Sequence, residues 1–81
     1  MYYVYVLRSK KDGRLYKGHT ERLEDRIIEH NKGKTKSTKG YMPWELVYFE
    51  TFMTRDEAVE RESYFKTGSG REFLRNKLLA Q

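Results

Sequence analysis

The chain places ionisable side chains where its own apolar pattern asks for something else. Thr54-Arg55-Asp56-Glu57 has the capping-box pattern and opens a helix to about Thr67. At helical spacing Ala58, Val59 and Phe65 share one face of it, and Glu62 falls in the middle of that stripe. A carboxylate there is costly unless it is protonated, bound to a cation or paired with a basic neighbour such as Arg26 or Lys66. Thr20 can cap an earlier helix running from about Glu21 to Asn31, with Gly33 at its C′ position. Leu23 and Ile27 define its inward face, His30 continues that face one turn on, and Arg26 sits on the flank. Singly, His30 reads as a hydrogen-bonded core histidine and Arg26 as an ordinary surface cation. Two helices that each break their stripe with ionisable groups point to chemistry, because local rules fail most often at functional sites.

Strands must hold the rest. Tyr2–Arg8 is aromatic and β-branched, and Leu15–His19 reads as its returning partner across Asp12-Gly13, a hairpin turn signal. Tyr3 and Tyr5 share one face of the first strand, and Tyr16 and Gly18 share one face of the second. Any register whose paired numbers sum to an odd value puts Tyr5 and Tyr16 on the same face. A two-residue turn gives the sum 25, whereas a wider loop with the sum 21 sets the two tyrosines directly opposite. Gly18 inside a strand weakens it unless something must approach the backbone closely. Lys34–Pro43 reads as a polar, basic, mobile loop, Trp44–Phe52 as a third strand, and Ser69-Gly70-Arg71-Glu72 as the start of a last helix toward Ala80. The order β-β-α-β-α-α describes an α+β domain: a small, at least partly antiparallel, three-stranded sheet flanked by three helices.

Composition narrows the function. Eighty-one residues make one domain, spanning 1–81, whose core leans on twelve aromatics: seven Tyr, four Phe and one Trp. The absence of cysteine excludes disulfides, thiolate metal sites and cysteine nucleophiles. No apolar run approaches the roughly 20 residues of a membrane span, so a soluble cytoplasmic protein is the expectation. The net charge of +5 is one-sided. Residues 1–40 carry eleven basic and five acidic side chains, residues 41–81 six and seven. Lys32, Lys34, Lys36 and Lys39 crowd one stretch, which suggests a polyanionic partner, nucleic acid before anionic membrane.

These residues resemble the GIY-YIG nuclease family, in particular its small stand-alone bacterial members with a UvrC N-terminal-like catalytic domain. Tyr3-Val4-Tyr5 stands at the first motif, with Tyr3 for its glycine, and Tyr16-Lys17-Gly18 at the second, with Lys17 for its isoleucine. Leu23–Asn31 resembles the helix bearing the family's arginine and histidine, here Arg26 and His30. The segment from Glu57 to Gly68 resembles the one bearing the metal-binding glutamate, here Glu62. The late asparagine would be Asn76, and His19 stands where many relatives carry a small or basic residue.

The resemblance implies hydrolysis of a nucleic-acid phosphodiester, DNA rather than RNA, with one Mg²⁺ or Mn²⁺ on Glu62, in DNA repair or recombination. Tyr16 would orient or deprotonate the attacking water, supported by Tyr5. A free tyrosine titrates near ~10, so it needs positive charge nearby to act as a base. Arg26 would meet the phosphate oxygens, and His30 would transfer a second proton or orient Tyr16. Lys17, His19, Lys32, Lys34, Lys36, Lys39 and Asn76 would hold the nucleic acid. The alternative is a nucleic-acid-binding module of the same fold with weak or no catalysis.

Overall fold

The structure is a computed structural model and describes residues 1–80. Strands β1 (Tyr2–Ser9), β2 (Leu15–Thr20) and β3 (Trp44–Phe52) form one antiparallel sheet in the order β2-β1-β3. Helices α1 (Leu23–Asn31), α2 (Arg55–Phe65) and α3 (Gly68–Leu79) flank it, so the order is β-β-α-β-α-α, the α+β arrangement expected, with the sheet antiparallel throughout. Residues Val4 to Leu7 are all buried, because β1 is central and covered on both faces. Val4 and Val6 face Ala58, Phe65 and Leu74 of α2 and α3. Tyr5 and Leu7 face Trp44, with Tyr16, Leu23 and Ile27 packed around them. Sheet alternation therefore divides the molecule into an α2–α3 side and an α1 side.

The hairpin register has the sum 23: Tyr5 pairs with Gly18 and Leu7 with Tyr16. The parity is as expected, but neither specific register forms. Ser9 N–H bonds the Arg14 carbonyl at 2.9 Å, which closes a loop of residues 10–13 with Gly13 at φ +82°. Tyr5 and Tyr16 become diagonal neighbours, ring centroids 6.3 Å apart.

Side-chain caps explain where α2 and α3 start. Thr54 and Glu57 form the full capping box of α2. The cap of α3 is Thr67, not Ser69: its hydroxyl accepts from Gly70 N–H, so Gly68-Ser69-Gly70 forms the first turn of the helix. Helix α1 starts after Arg22, two residues later than Thr20 would have it, and Thr20 Oγ1 accepts the Arg22 N–H outside the helix. Gly33 does take the left-handed position after α1, at φ +75°. Gly70 permits the tight α2–α3 corner, since a Cβ there would lie 1.9 Å from the Tyr64 carbonyl oxygen. Across that corner Phe65 and Phe73 stack at 6.0 Å.

The basic loop is anchored rather than loose. Thr38 is fully buried, its carbonyl accepts Trp44 Nε1–H at 2.9 Å, and residues 39–41 form one 3₁₀ turn. Ser9 Oγ donates to the Tyr41 carbonyl at 2.6 Å, and Lys10 N–H bonds that of Pro43.

Candidate active site around the edge strand

Strand β2 is an edge strand, and the chemistry-bearing residues gather around its Gly18-His19. From the α1 side, Tyr5 lays its phenol over Gly18. A Cβ at Gly18 would sit 2.6 Å from the Tyr5 hydroxyl oxygen, so glycine is what lets the ring in. From the α2 side, His19 points the other way and its Nδ1 meets Glu62 Oε1 at 2.7 Å. Lys66, the residue that caps the C-terminal end of α2, donates to Glu62 Oε2 at 2.8 Å. The carboxylate keeps 18% of its side-chain surface exposed. Burial disfavours its charge, but Lys66 and His19 outweigh that and hold it below the usual carboxylate range.

Tyr5 feels the whole group. Burial pushes its hydroxyl up to about 12, Tyr16 and Glu62 add to the rise, and the adjacent Arg26 guanidinium opposes it. Groups on α1, β2 and α2 thus bear on one phenol. Tyr5 and His30 Nε2 are 2.9 Å apart, and His30 Nδ1 lies 2.8 Å from Thr38 Oγ1. Thr38 Oγ1 donates its own proton to the Thr35 carbonyl at 3.3 Å, so it accepts from His30 Nδ1–H. Nε2 is then the bare nitrogen, and the Tyr5 O–H donates to it. The sequence did not single out Thr38; what could have pointed to it is a short β-branched hydroxyl six residues before the lone tryptophan.

His30 is 0% exposed with both nitrogens engaged. Burial and Arg26 push its ring below the ordinary value of 6.5. It bonds Tyr5, and meets Tyr16 only edge-on, ring centroids 5.0 Å apart. A ring so held reaches a substrate proton only through Tyr5. The neutral ring also links stability to pH. The unfolded chain takes up a proton at 6.5 while the folded ring resists it, so stability is full above 6.5 and falls as pH drops toward the lower folded value. In ¹⁵N NMR, His30 should show an Nδ1–H tautomer at neutral pH and a midpoint below 6.5. A Nε2–H signal would contradict the chain of bonds.

Tyr16 differs from Tyr5. It is half-buried, its hydroxyl bonds no protein group, and no buried side-chain polar atom among the described residues lacks a partner, so that hydroxyl reaches solvent. Arg26 donates to Glu29 at 2.9 Å, not to Glu62, and its guanidinium is held further protonated by Tyr5 and Glu29. Val59, expected in the apolar stripe of α2, is 40% exposed. The inward line is instead Ala58, Arg61, Glu62 and Phe65, with the Arg61 guanidinium laid over Phe65 and paired to Glu50 at 2.7 Å.

Of the expected nucleic-acid contacts, Lys32, Lys34, Lys36 and Lys39 are all exposed on the basic loop. Lys17 is half-buried on the α3 side. Asn76 is exposed on α3, and its side chain bonds none of the five site residues. Among the described residues no three His, Asp or Glu side chains converge as a metal cage. Glu62 is a single ionised carboxylate, which suits Mg²⁺, an ion that takes one or two protein carboxylates and completes its shell with water and substrate phosphate. The donor set fits. No helix among the described residues is long and apolar enough to cross a membrane.

Comparison with known proteins identifies the family of the fold. The GIY-YIG catalytic domain family matches residues 1–76. A UPF0213 protein of Staphylococcus saprophyticus is 44% identical over 75 residues, covering 91% of this chain and 90% of its own. One from Clostridium perfringens is 51% identical over 67 residues, covering 82% and 71%. The solution structure of a UPF0213 protein from Bacillus halodurans superposes with a TM-score of 0.57 at 36% identity, covering 94% of this chain and 84% of that one. With its two tyrosine strands, arginine–histidine helix and glutamate helix in that order, the chain belongs to the GIY-YIG nuclease family.

Proposed function

We propose that the protein is a metal-dependent endonuclease that hydrolyses nucleic-acid phosphodiesters, DNA in preference to RNA, in repair or recombination. The observation that carries this reading is the placing of Tyr16 and Arg26 against Tyr5 on one face of the edge strand, with Glu62 held at the adjacent His19 on the other. Glu62 is the metal ligand, and Lys66 and His19 keep it ionised, as ligation requires. Bound Mg²⁺ or Mn²⁺ would polarise the scissile phosphate and stabilise the leaving 3′-oxygen. Tyr16 meets the attacking water through its solvent-facing hydroxyl. Arg26, braced by Glu29, offers its fork to the phosphate oxygens as charge builds there. Tyr5 stays protonated and donates to His30, so it fixes Tyr16 and Arg26 in place rather than taking a proton. The four loop lysines hold the backbone without reading sequence.

One observation favours the rival reading of a binding module without turnover: both Glu62 oxygens already have protein partners. The two readings separate in one assay. Duplex, branched and single-stranded DNA and RNA are incubated with Mg²⁺, then with EDTA, then with Mg²⁺ restored. Nicking that EDTA abolishes and Mg²⁺ recovers supports the nuclease. Salt-sensitive binding without cleavage of any substrate favours the module.

A further inference from the structure

Round the edge of β2 from the tyrosines lies a groove of about 570 Å³ between the β1–β2 loop and α3. Arg14, Lys17, Arg71 and Arg75 are its cationic lining, with Glu72 the one carboxylate among them. Most other arginines are mated: Arg8 with Glu45, Arg22 with Asp25, Arg26 with Glu29, Arg61 with Glu50, and Arg14, on the groove's own rim, with Asp12, while among the described residues Arg55 on α2 forms no ion pair. Among the described residues Lys17, Arg71 and Arg75 form no ion pair, and neither does Glu72. Arg71 and Arg75 lie one turn apart on the same face of α3, a like-charge spacing that opposes helix stability. Lys17 is half-buried opposite them, and its ammonium is depressed by burial and by the charges of Arg71 and Lys66. A fold that gathers repelling cations in a concavity, against a single carboxylate that pairs with none of them, is arranged for a polyanion.

The groove also adjoins the candidate active site. Lys17 follows Tyr16 on β2, and Lys66 both holds Glu62 and bears on Lys17. We propose that this groove is a second nucleic-acid subsite, in which Arg71, Arg75 and Lys17 hold sugar-phosphate backbone of the strand that passes Glu62. The inference deepens the nuclease reading and rests on it for the class of polyanion. It puts the main grip on α3, opposite the lysine loop, so that the strand crosses the edge of β2 with the scissile phosphate between two basic surfaces.

The test is binding without turnover. Fluorescence anisotropy in EDTA follows a labelled oligonucleotide, single-stranded and duplex, across a salt series. It compares the unsubstituted protein with Arg71→Ala/Arg75→Ala, with Arg71→Lys/Arg75→Lys, and with Arg22→Ala as a remote control. The alanine pair should weaken binding about tenfold and cut the slope of log K against log salt by about 1.4–1.8, two phosphate contacts' worth. The lysine pair should keep the slope, which separates lost charge from lost folding. An unchanged slope in the alanine pair, a loss equalled by Arg22→Ala, or no binding by the parent protein at low salt would overturn the subsite. Absence of Mg²⁺-dependent cleavage alongside the expected slopes would instead remove the catalytic reading and leave the subsite standing.

Discussion

On the proposed nuclease reading, Glu62→Gln should lower Mg²⁺-dependent cleavage roughly a thousandfold while the protein stays folded. Metal assistance at a phosphoryl centre supplies several kcal/mol, and each ~1.4 kcal/mol is tenfold in rate. A neutral amide of the same shape gives up the charge that a hard cation needs. Stability responds far less. The ion pair lost is with Lys66, whose side chain is 56% exposed, a pair worth about 0–1 kcal/mol, and the amide oxygen can still accept a hydrogen bond in place of the carboxylate. Single-turnover cleavage and thermal melting of the two proteins check both halves. Equal cleavage rates would remove Glu62 from the chemistry. Unfolding of the variant would make it a structural ion pair instead.

Gly18→Ala carries the second large effect, on activity and stability together. The backbone at Gly18 is ordinary extended strand, so alanine is not strained there. The difficulty is the phenol: the new Cβ would lie 2.6 Å from the Tyr5 hydroxyl oxygen and 2.7 Å from Cζ. Tyr5 is 1% exposed and its hydroxyl is held by His30, so it has nowhere to retreat without breaking that bond. Overpacking of this sort costs about 1–3 kcal/mol. Once Tyr5 moves, Tyr16 and Arg26 lose their brace, and cleavage should fall at least about a hundredfold, the scale of a lost positioned group. Urea denaturation and cleavage assays read the two effects. A variant with wild-type activity and stability would mean that Tyr5 does not need its seat over Gly18.

Both predictions rest on residues visible in the sequence, yet the reason each matters was legible to different degrees. Alternation alone placed Tyr5 and Tyr16 on one face, and parity protected that inference from the wrong stagger. The stagger itself depends on residues 10–13, where Ser9 and Arg14 close a four-residue loop around Gly13. Helical spacing found Glu62 on the inward face because α2 has a true capping box that fixes its phase. The same reasoning misplaced Val59, since Arg61 covers aromatic rings with its guanidinium and takes a place that hydrophobicity would give to valine. His19 as the partner of Glu62 follows from alternation once α2 is known to cover that face, which needs tertiary contact. Thr38 was hidden for another reason. A lysine-rich stretch reads as solvated loop, and only the fold reveals that Trp44 and His30 pin its middle.

The account stands on one joint location: a divalent ion on Glu62 within reach of the tyrosine pair. Mn²⁺ titrated at substoichiometric ratios into ¹⁵N-labelled protein, with a non-cleavable phosphorothioate oligonucleotide present, reads that location directly. The account predicts that paramagnetic broadening centres on Glu62, spreads to Gly18, His19 and Tyr16, and vanishes in Glu62→Gln. Broadening that centres on another acidic surface, such as Glu24 and Asp25, or that survives in Glu62→Gln, would contradict it.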